Sequence, residues 1–391
     1  MTVVTSHLVR AQRVTPNASQ TRSKAPGQVG PRFWCGDVTD FPLFAQEGHG
    51  AYVVDDRGRQ YLDCAGANAA VPLGYGYAGV VREVQAAVEQ GSLLSLPHVL
   101  EAEVSETFLR TCAPWAQQVR WLRTGSEATH AALKIARAAT GRRTVLIGDW
   151  AYHGWHEWCA SASQESVVRY PHGFAPLEAF GASGPIAAVF YEPHRWERPA
   201  RSWLRDLRAW CTEHGALLVF DEMVYGLRWA RGGAAEYYGI VPDLACFGKA
   251  LGNGVPVACV CGPEPFMRHA TPEVSGTYGG DAIGLSAARA VLQAHAERDV
   301  IEELWGNGRA TWEAFADFAP KEARLEGTYV HWRLAMPTPE QLDLALAEAA
   351  RLGVLVHRSA NNASAAMSPA EARFAGKVLG NAAEFAMQVR P

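Results

Sequence analysis

The chain has 391 residues, of which 48% are hydrophobic and 19% charged, with a net charge of −4. That length exceeds what one hydrophobic core ordinarily fills, so a large domain and a smaller companion are expected. The faintly acidic balance offers no field for nucleic acid or anionic lipid, and no apolar run has the length of a membrane span or a signal-peptide core.

Residues 1–30 are rich in Ser, Thr, Gln and Pro and read as a flexible leader. Residues 51–63 read as a hairpin, two apolar runs around Asp56-Arg57-Gly58, and 31–65 as the amino-terminal part of a small domain. Val80, Val81, Val84, Ala87 and Val88 recur at helical spacing, and a second helix is predicted over 102–112. From Val119 onward short strands alternate with helices. Strands are predicted at 120–122, 144–147, 186–191, 216–220, 244–247 and 256–261, with helices from 128 to Gly141 and over 201–213. Such alternation implies βαβ units and a mainly parallel sheet covered by helices, over about 66–298. After a helix near 283–296 the texture changes. Residues 299–391 read as the rest of a small α+β domain, with strands at 330–334 and 354–357 around a helix at 339–351. Its last helix opens with Ser368 as cap, Pro369 at the first position and Glu371 closing a capping box.

Eight cysteines, none in a Cys-x-x-Cys pair, give neither a zinc motif nor a disulfide framework. Cys259 and Cys261 alternate along one strand and read as buried thiols, which points to a reducing, cytoplasmic setting. His153 and His156 make a His-x-x-His pair without an evident third ligand, so no metal is expected.

Ligands of open parallel sheets bind at the carboxyl ends of the strands. After the strand at 120–122 comes Thr124-Gly125-Ser126, a small-residue turn opening a helix. Free N–H groups and the helix dipole there favour a phosphate, although taken alone such a residue is more often just a cap. Asp221 ends a wholly apolar strand, where it either caps the next segment or pairs with a buried cation. Lys249 follows another apolar strand and lies between glycines, an unusual place for a solvated charge. Desolvation there would yield a neutral amine able to attack an aldehyde. Tyr152 lies past a further strand and could stack on a flat ring, with His153, Trp155, His156 and Trp158 forming an aromatic wall. A lysine for an imine, an anion-binding helix start and a carboxylate for a ring nitrogen together fit pyridoxal phosphate.

On the segments RTGSEATHAALKIARAATGR (123–142), YHGW (152–155), LLVFDEMVYGLR (217–228), PDLACFGKALGNGVPV (242–257) and SGTYGG (275–280), the chain resembles the class III (ω-amino acid type) aminotransferases. Within them it is most similar to the glutamate-1-semialdehyde aminomutases and their relatives. The resemblance implies the type I fold of pyridoxal-phosphate enzymes, a seven-stranded type of sheet with a small α+β domain, and a homodimer with shared active sites. It implies that Lys249 carries the cofactor as a Schiff base and shuttles protons, and that Asp221 pairs with the ring nitrogen. Gly125 and Ser126 would hold the phosphate, Tyr152 and Met223 would flank the ring, and Thr277 would reach the neighbouring subunit's phosphate. Glu192 matches a family carboxylate near the site, and Arg32 lies near where the aminomutase places an arginine for the substrate carboxylate. The aminomutase usually follows Tyr-His-Gly with another histidine; here Trp155 stands instead, a candidate substrate contact. The expected reaction moves an amino group from a small-molecule donor to an aldehyde or ketone, with sugar-derived or specialised-metabolite carbonyls among the candidates. The alternative is transfer within one substrate, as in the aminomutase. A non-catalytic binding subunit is disfavoured because both Lys249 and Asp221 are present.

Overall fold

Residues 118–122 open a sheet of seven strands: β1 (Gln118–Leu122), β2 (Thr144–Gly148), β3 (Val167–Tyr170), β4 (Ile186–Tyr191), β5 (Leu217–Asp221), β6 (Leu244–Phe247) and β7 (Ala258–Gly262). The computed structural model describes residues 3–25, 41–160, 166–170, 184–193, 196–270 and 274–389. The strands lie in the order β1-β7-β6-β5-β4-β2-β3. All neighbouring pairs from β6 to β3 are parallel, and only β7 runs against its neighbours. Every residue of β4, β5 and β6 is buried, which is why they read as unbroken apolar runs rather than alternating ones.

Helices cover both faces. On one, Ala128, Ala132, Ile135 and Ala136 of the helix Gly125–Thr140 join a core with Val145, Val219, Cys246 and Ala258. On the other, Phe108 of the helix Leu100–Cys112 meets Phe247 edge-on at 5.2 Å and Trp121 at 5.7 Å. The consequence for function is simple: β2, β4, β5 and β6 all end on one edge, at Gly148, Tyr191, Asp221 and Phe247.

Contacts divide the chain into two units, Met1–Tyr77 with Glu302–Pro391, and Ala78–Ile301. The first is α+β. Its hairpin Tyr52–Asp55 and Gln60–Asp63 extends to Ala45–His49 on one side and Val354–Leu355 on the other. The helices Pro339–Arg351 and Pro369–Gln388 bury Leu346 and Leu379 with Leu62 and Trp332. Residues 66–77, expected in the large domain, belong with this unit: the Tyr75 hydroxyl donates to Asp63 at 2.5 Å, and Gly50 and Tyr75 exchange backbone bonds. The leader expected over 1–30 contains a helix, Val3–Val14. Composition suggested looseness, but His7 pairs with Asp56 at 2.9 Å, and Ser23 accepts bonds from His357 and Asn68. Among the described residues no helix is long and apolar enough to cross a membrane.

Candidate active site

Asp221 and Lys249 leave the sheet side by side. Register pairs Asp221 with Cys246, so the lysine stands three residues beyond the aspartate's partner on the adjoining strand. Lys249 opens the turn Lys249–Gly252 with φ at 44°, in the left-handed region. That backbone costs a non-glycine residue about 1 kcal/mol or more and persists only where its surroundings enforce it. Here the amide of Leu251 bonds Gly248 at 3.0 Å and that of Asn253 bonds Ala250 at 3.2 Å. The lysine is half-buried between the buried Gly248 and Ala250.

Asp221 is 2% exposed and both its oxygens are engaged. One lies 2.8 Å from His153 Nδ1, and the other accepts the Met223 amide at 3.1 Å. His153 is itself buried and stacks parallel to Trp158, while its Nε2 finds no partner among the described residues. From the sequence this histidine reads as part of an aromatic wall, with no sign of its carboxylate partner. The available signal was that an aspartate ending an apolar strand is costly without a polar neighbour.

Met223 locks the helix start to the end of β6. A Cβ on Gly125 would stand 2.8 Å from its sulfur, and one on Gly248 would stand 2.7 Å away. Thr124 caps the helix Gly125–Thr140 through a capping box with Glu127. This satisfies the amides of Thr124 and Glu127 but leaves those of Gly125 and Ser126 without a partner among the described residues. A helix start with unspent N–H groups is an anion site.

The turn after β2 closes against that helix. Trp155 donates its amide to Ser126 Oγ at 3.3 Å, and the Thr129 hydroxyl donates to the His153 carbonyl at 2.5 Å. Gly154 makes the approach possible, with φ at +108° and space for no Cβ, since one would lie 2.5 Å from Ser126 Oγ. Glu192, buried at the end of β4, accepts the Tyr152 amide at 3.0 Å and the Tyr225 hydroxyl at 3.3 Å. The Tyr152 ring itself is 59% exposed, and burial of its hydroxyl, with Cys159 and Asp221 nearby, raises its pKa. Glu222 is fully buried and accepts the amides of Ala234 and Ala235, both at 2.9 Å. Burial pushes its carboxyl up to about 8 against the pull of those amides.

Lys249, Asp221, Met223, Gly125, Ser126, Tyr152 and Glu192 thus share one edge of the sheet, with Trp155 72% exposed beside Ser126. Thr277 lies in an exposed turn closed by the Gly279 amide on the Gly276 carbonyl at 3.0 Å. Arg32 lies outside the described residues. Among the described residues no three His, Cys, Asp or Glu side chains gather as metal ligands would.

A sequence profile described as aminotransferase class-III matches residues 36–182 and 177–370. A glutamate-1-semialdehyde 2,1-aminomutase of Syntrophobacter fumaroxidans is 32% identical over 294 residues, 67% of each chain. The solved structure of the FumI protein of Sphingopyxis sp. MTA144, in its internal aldimine form with the cofactor, superposes with a TM-score of 0.89 at 25% identity, covering 99% of this chain and 98% of that one. An omega-transaminase from Sphaerobacter thermophilus superposes at 0.86 with 22% identity, over 99% and 98% of the two chains.

Proposed function

This chain belongs to the class III aminotransferases, a family of pyridoxal-phosphate enzymes, and from that premise we propose residue roles and a reaction class. Its cofactor is pyridoxal 5′-phosphate, which when bound supplies an electron sink for a substrate carbon that loses a proton. Lys249 provides the amine that anchors the cofactor aldehyde, and once displaced it is the base that moves the α-proton. Asp221 receives the ring nitrogen, while His153 fixes the carboxylate from behind. The amides of Gly125 and Ser126, with the Ser126 hydroxyl, hold the phosphate. Tyr152 covers one ring face and Met223 the other. Glu192 acts on Tyr152 through its backbone, so it is a positioning residue rather than a substrate contact; Trp155 and Arg32 remain assigned to the substrate side.

The observation that carries this reading is the neighbouring exit of Asp221 and Lys249 from β5 and β6, with Met223 wedged between Gly125 and Gly248. An amine and a carboxylate on adjoining strand ends, beside a free helix start, suit a flat phosphorylated pyridine.

The reaction is transfer of an amino group from a small-molecule donor to an aldehyde or ketone of sugar-derived or specialised-metabolite type. The 32% identity to an aminomutase favours a second reading, transfer within one substrate. The two differ in stoichiometry. When the enzyme is charged with a donor amine and then offered separate carbonyl acceptors, one product amine should form per acceptor consumed. An aminomutase would turn over glutamate-1-semialdehyde with no second substrate.

The working form is a homodimer in which Thr277 completes the neighbour's phosphate site. Its place in an exposed turn supports this. Sedimentation should give twice the chain mass, and a monomer with full activity would refute it. A cytoplasmic location is supported by seven described cysteines that are all free and buried.

A further inference from the structure

The turn that carries Thr277 is built largely of glycine, yet it is held in one place. It runs Gly276-Thr277-Tyr278-Gly279-Gly280, with Thr277 and Tyr278 exposed and Gly280 at a φ of +75°. Such a segment has wide conformational freedom, so its position must come from what fastens its ends. The fastening is Asp281, the next residue. Its Oδ1 accepts the Gly284 amide at 3.0 Å and so caps the helix Ala282–Glu297. Its Oδ2 accepts from the Arg123 guanidinium. The Ala282 amide adds a bond to the Ser92 carbonyl at 3.0 Å.

Arg123 follows the last residue of β1 and precedes Thr124, the cap of the helix that begins with Gly125 and Ser126. Its amide donates to the Glu127 carboxylate at 2.9 Å, so its backbone is fixed to that helix start. The turn itself sits against the same strand end: a Cβ on Gly279 would stand 3.2 Å from the Trp121 carbonyl oxygen. Exposed ion pairs contribute little, because water screens both charges. This one is different, since Asp281 is only 7% exposed and Arg123 is part-buried. A carboxylate buried to that extent is strongly disfavoured without its cation, which binds the two segments to one another.

We propose that Arg123 and Asp281 are positioning residues whose ion pair fixes the Thr277 turn to the strand end entering the phosphate helix. This rests on the reading that Thr277 reaches the neighbouring subunit's phosphate. On that reading the pair ties the helix start holding one cofactor phosphate to the threonine that completes the other. The pair acts through Thr277 rather than on the cofactor. A hydrogen bond to a charged acceptor corresponds to roughly ten- to a hundredfold in affinity. Freeing the turn spreads Thr277 over many positions and loses much of that, about tenfold. Pyridoxal, which lacks the phosphate, has no such contact to lose.

The test is equilibrium titration of the full-length protein, freed of cofactor, with pyridoxal phosphate and in parallel with pyridoxal. Asp281→Asn keeps a side-chain oxygen for the helix cap, since Asn caps as well as Asp, and removes the charge that holds Arg123. D281N and R123Q should each bind pyridoxal phosphate about tenfold more weakly than wild type, and pyridoxal equally well. R123K, which restores a cation, should recover most of the loss; with R123Q it carries the test should D281N not fold. In a T277V background, D281N and R123Q should add less than about twofold, because the residue they position is already gone. Losses undiminished in T277V, losses shared by pyridoxal, or no loss in either single variant would overturn the proposal. T277V that itself binds pyridoxal phosphate like wild type would instead sink the Thr277 assignment, leaving the ion pair nothing to position.

Discussion

Gly154 shows how a single residue decides the site. Its φ of +108° and the 2.5 Å from a built Cβ to Ser126 Oγ mean that any side chain pushes the turn off the helix start. Gly154→Ala should cost about 1 to 3 kcal/mol of stability and weaken cofactor binding at least tenfold, read from thermal unfolding and from titration with pyridoxal phosphate. Unchanged binding would show that the turn does not border the phosphate. At this scale the sequence was only partly legible. Lys249 and Asp221 stood out because charges ending apolar strands are conspicuous. His153 did not, because the Asp221–His153 bond joins positions 68 residues apart and no local pattern announces it. Met223 was placed by resemblance alone, and its contact with Gly125 and Gly248 is a fact of packing that spacing does not encode.

Among elements, the strand end of β5 is tied to the short helix Gly233–Tyr238 by Glu222, whose carboxyl takes the amides of Ala234 and Ala235. With its carboxyl raised from 4.5 to about 8, the folded state holds a proton that the unfolded chain gives up. The stabilising contribution is thus complete below pH 4.5 and lost as the pH rises through about 8. Thermal stability should fall over that window in wild type, and Glu222→Gln should flatten this part of the slope; parallel curves would contradict the assignment. Regular elements with clean signals were predicted closely, such as β4 and the helix Pro339–Arg351. The helix Val300–Phe318 was not, and Gly306, Asn307 and Gly308 in its middle are poor helix formers. Tertiary contacts override that propensity: the Asn307 side chain donates to the Ser364 and Met367 carbonyls, and a Cβ on Gly308 would lie 2.0 Å from the Tyr329 carbonyl oxygen. Strand β3, only four residues at the sheet edge, carried too little pattern to be read.

For the whole molecule, the alternation of strands and helices was enough to give a mainly parallel sheet, because buried parallel strands leave unbroken apolar runs. Pairing of strand ends across the sheet then put Lys249, Asp221 and the helix start at Gly125 on one edge although they lie far apart in sequence. The central claim is that Lys249 holds the cofactor. Borohydride reduction of the protein loaded with pyridoxal phosphate, followed by digestion and mass spectrometry, tests it directly. The reduced cofactor should be found on the peptide containing Lys249, and Lys249→Ala should carry none. Label on another lysine, or an undiminished yield from Lys249→Ala, would contradict it.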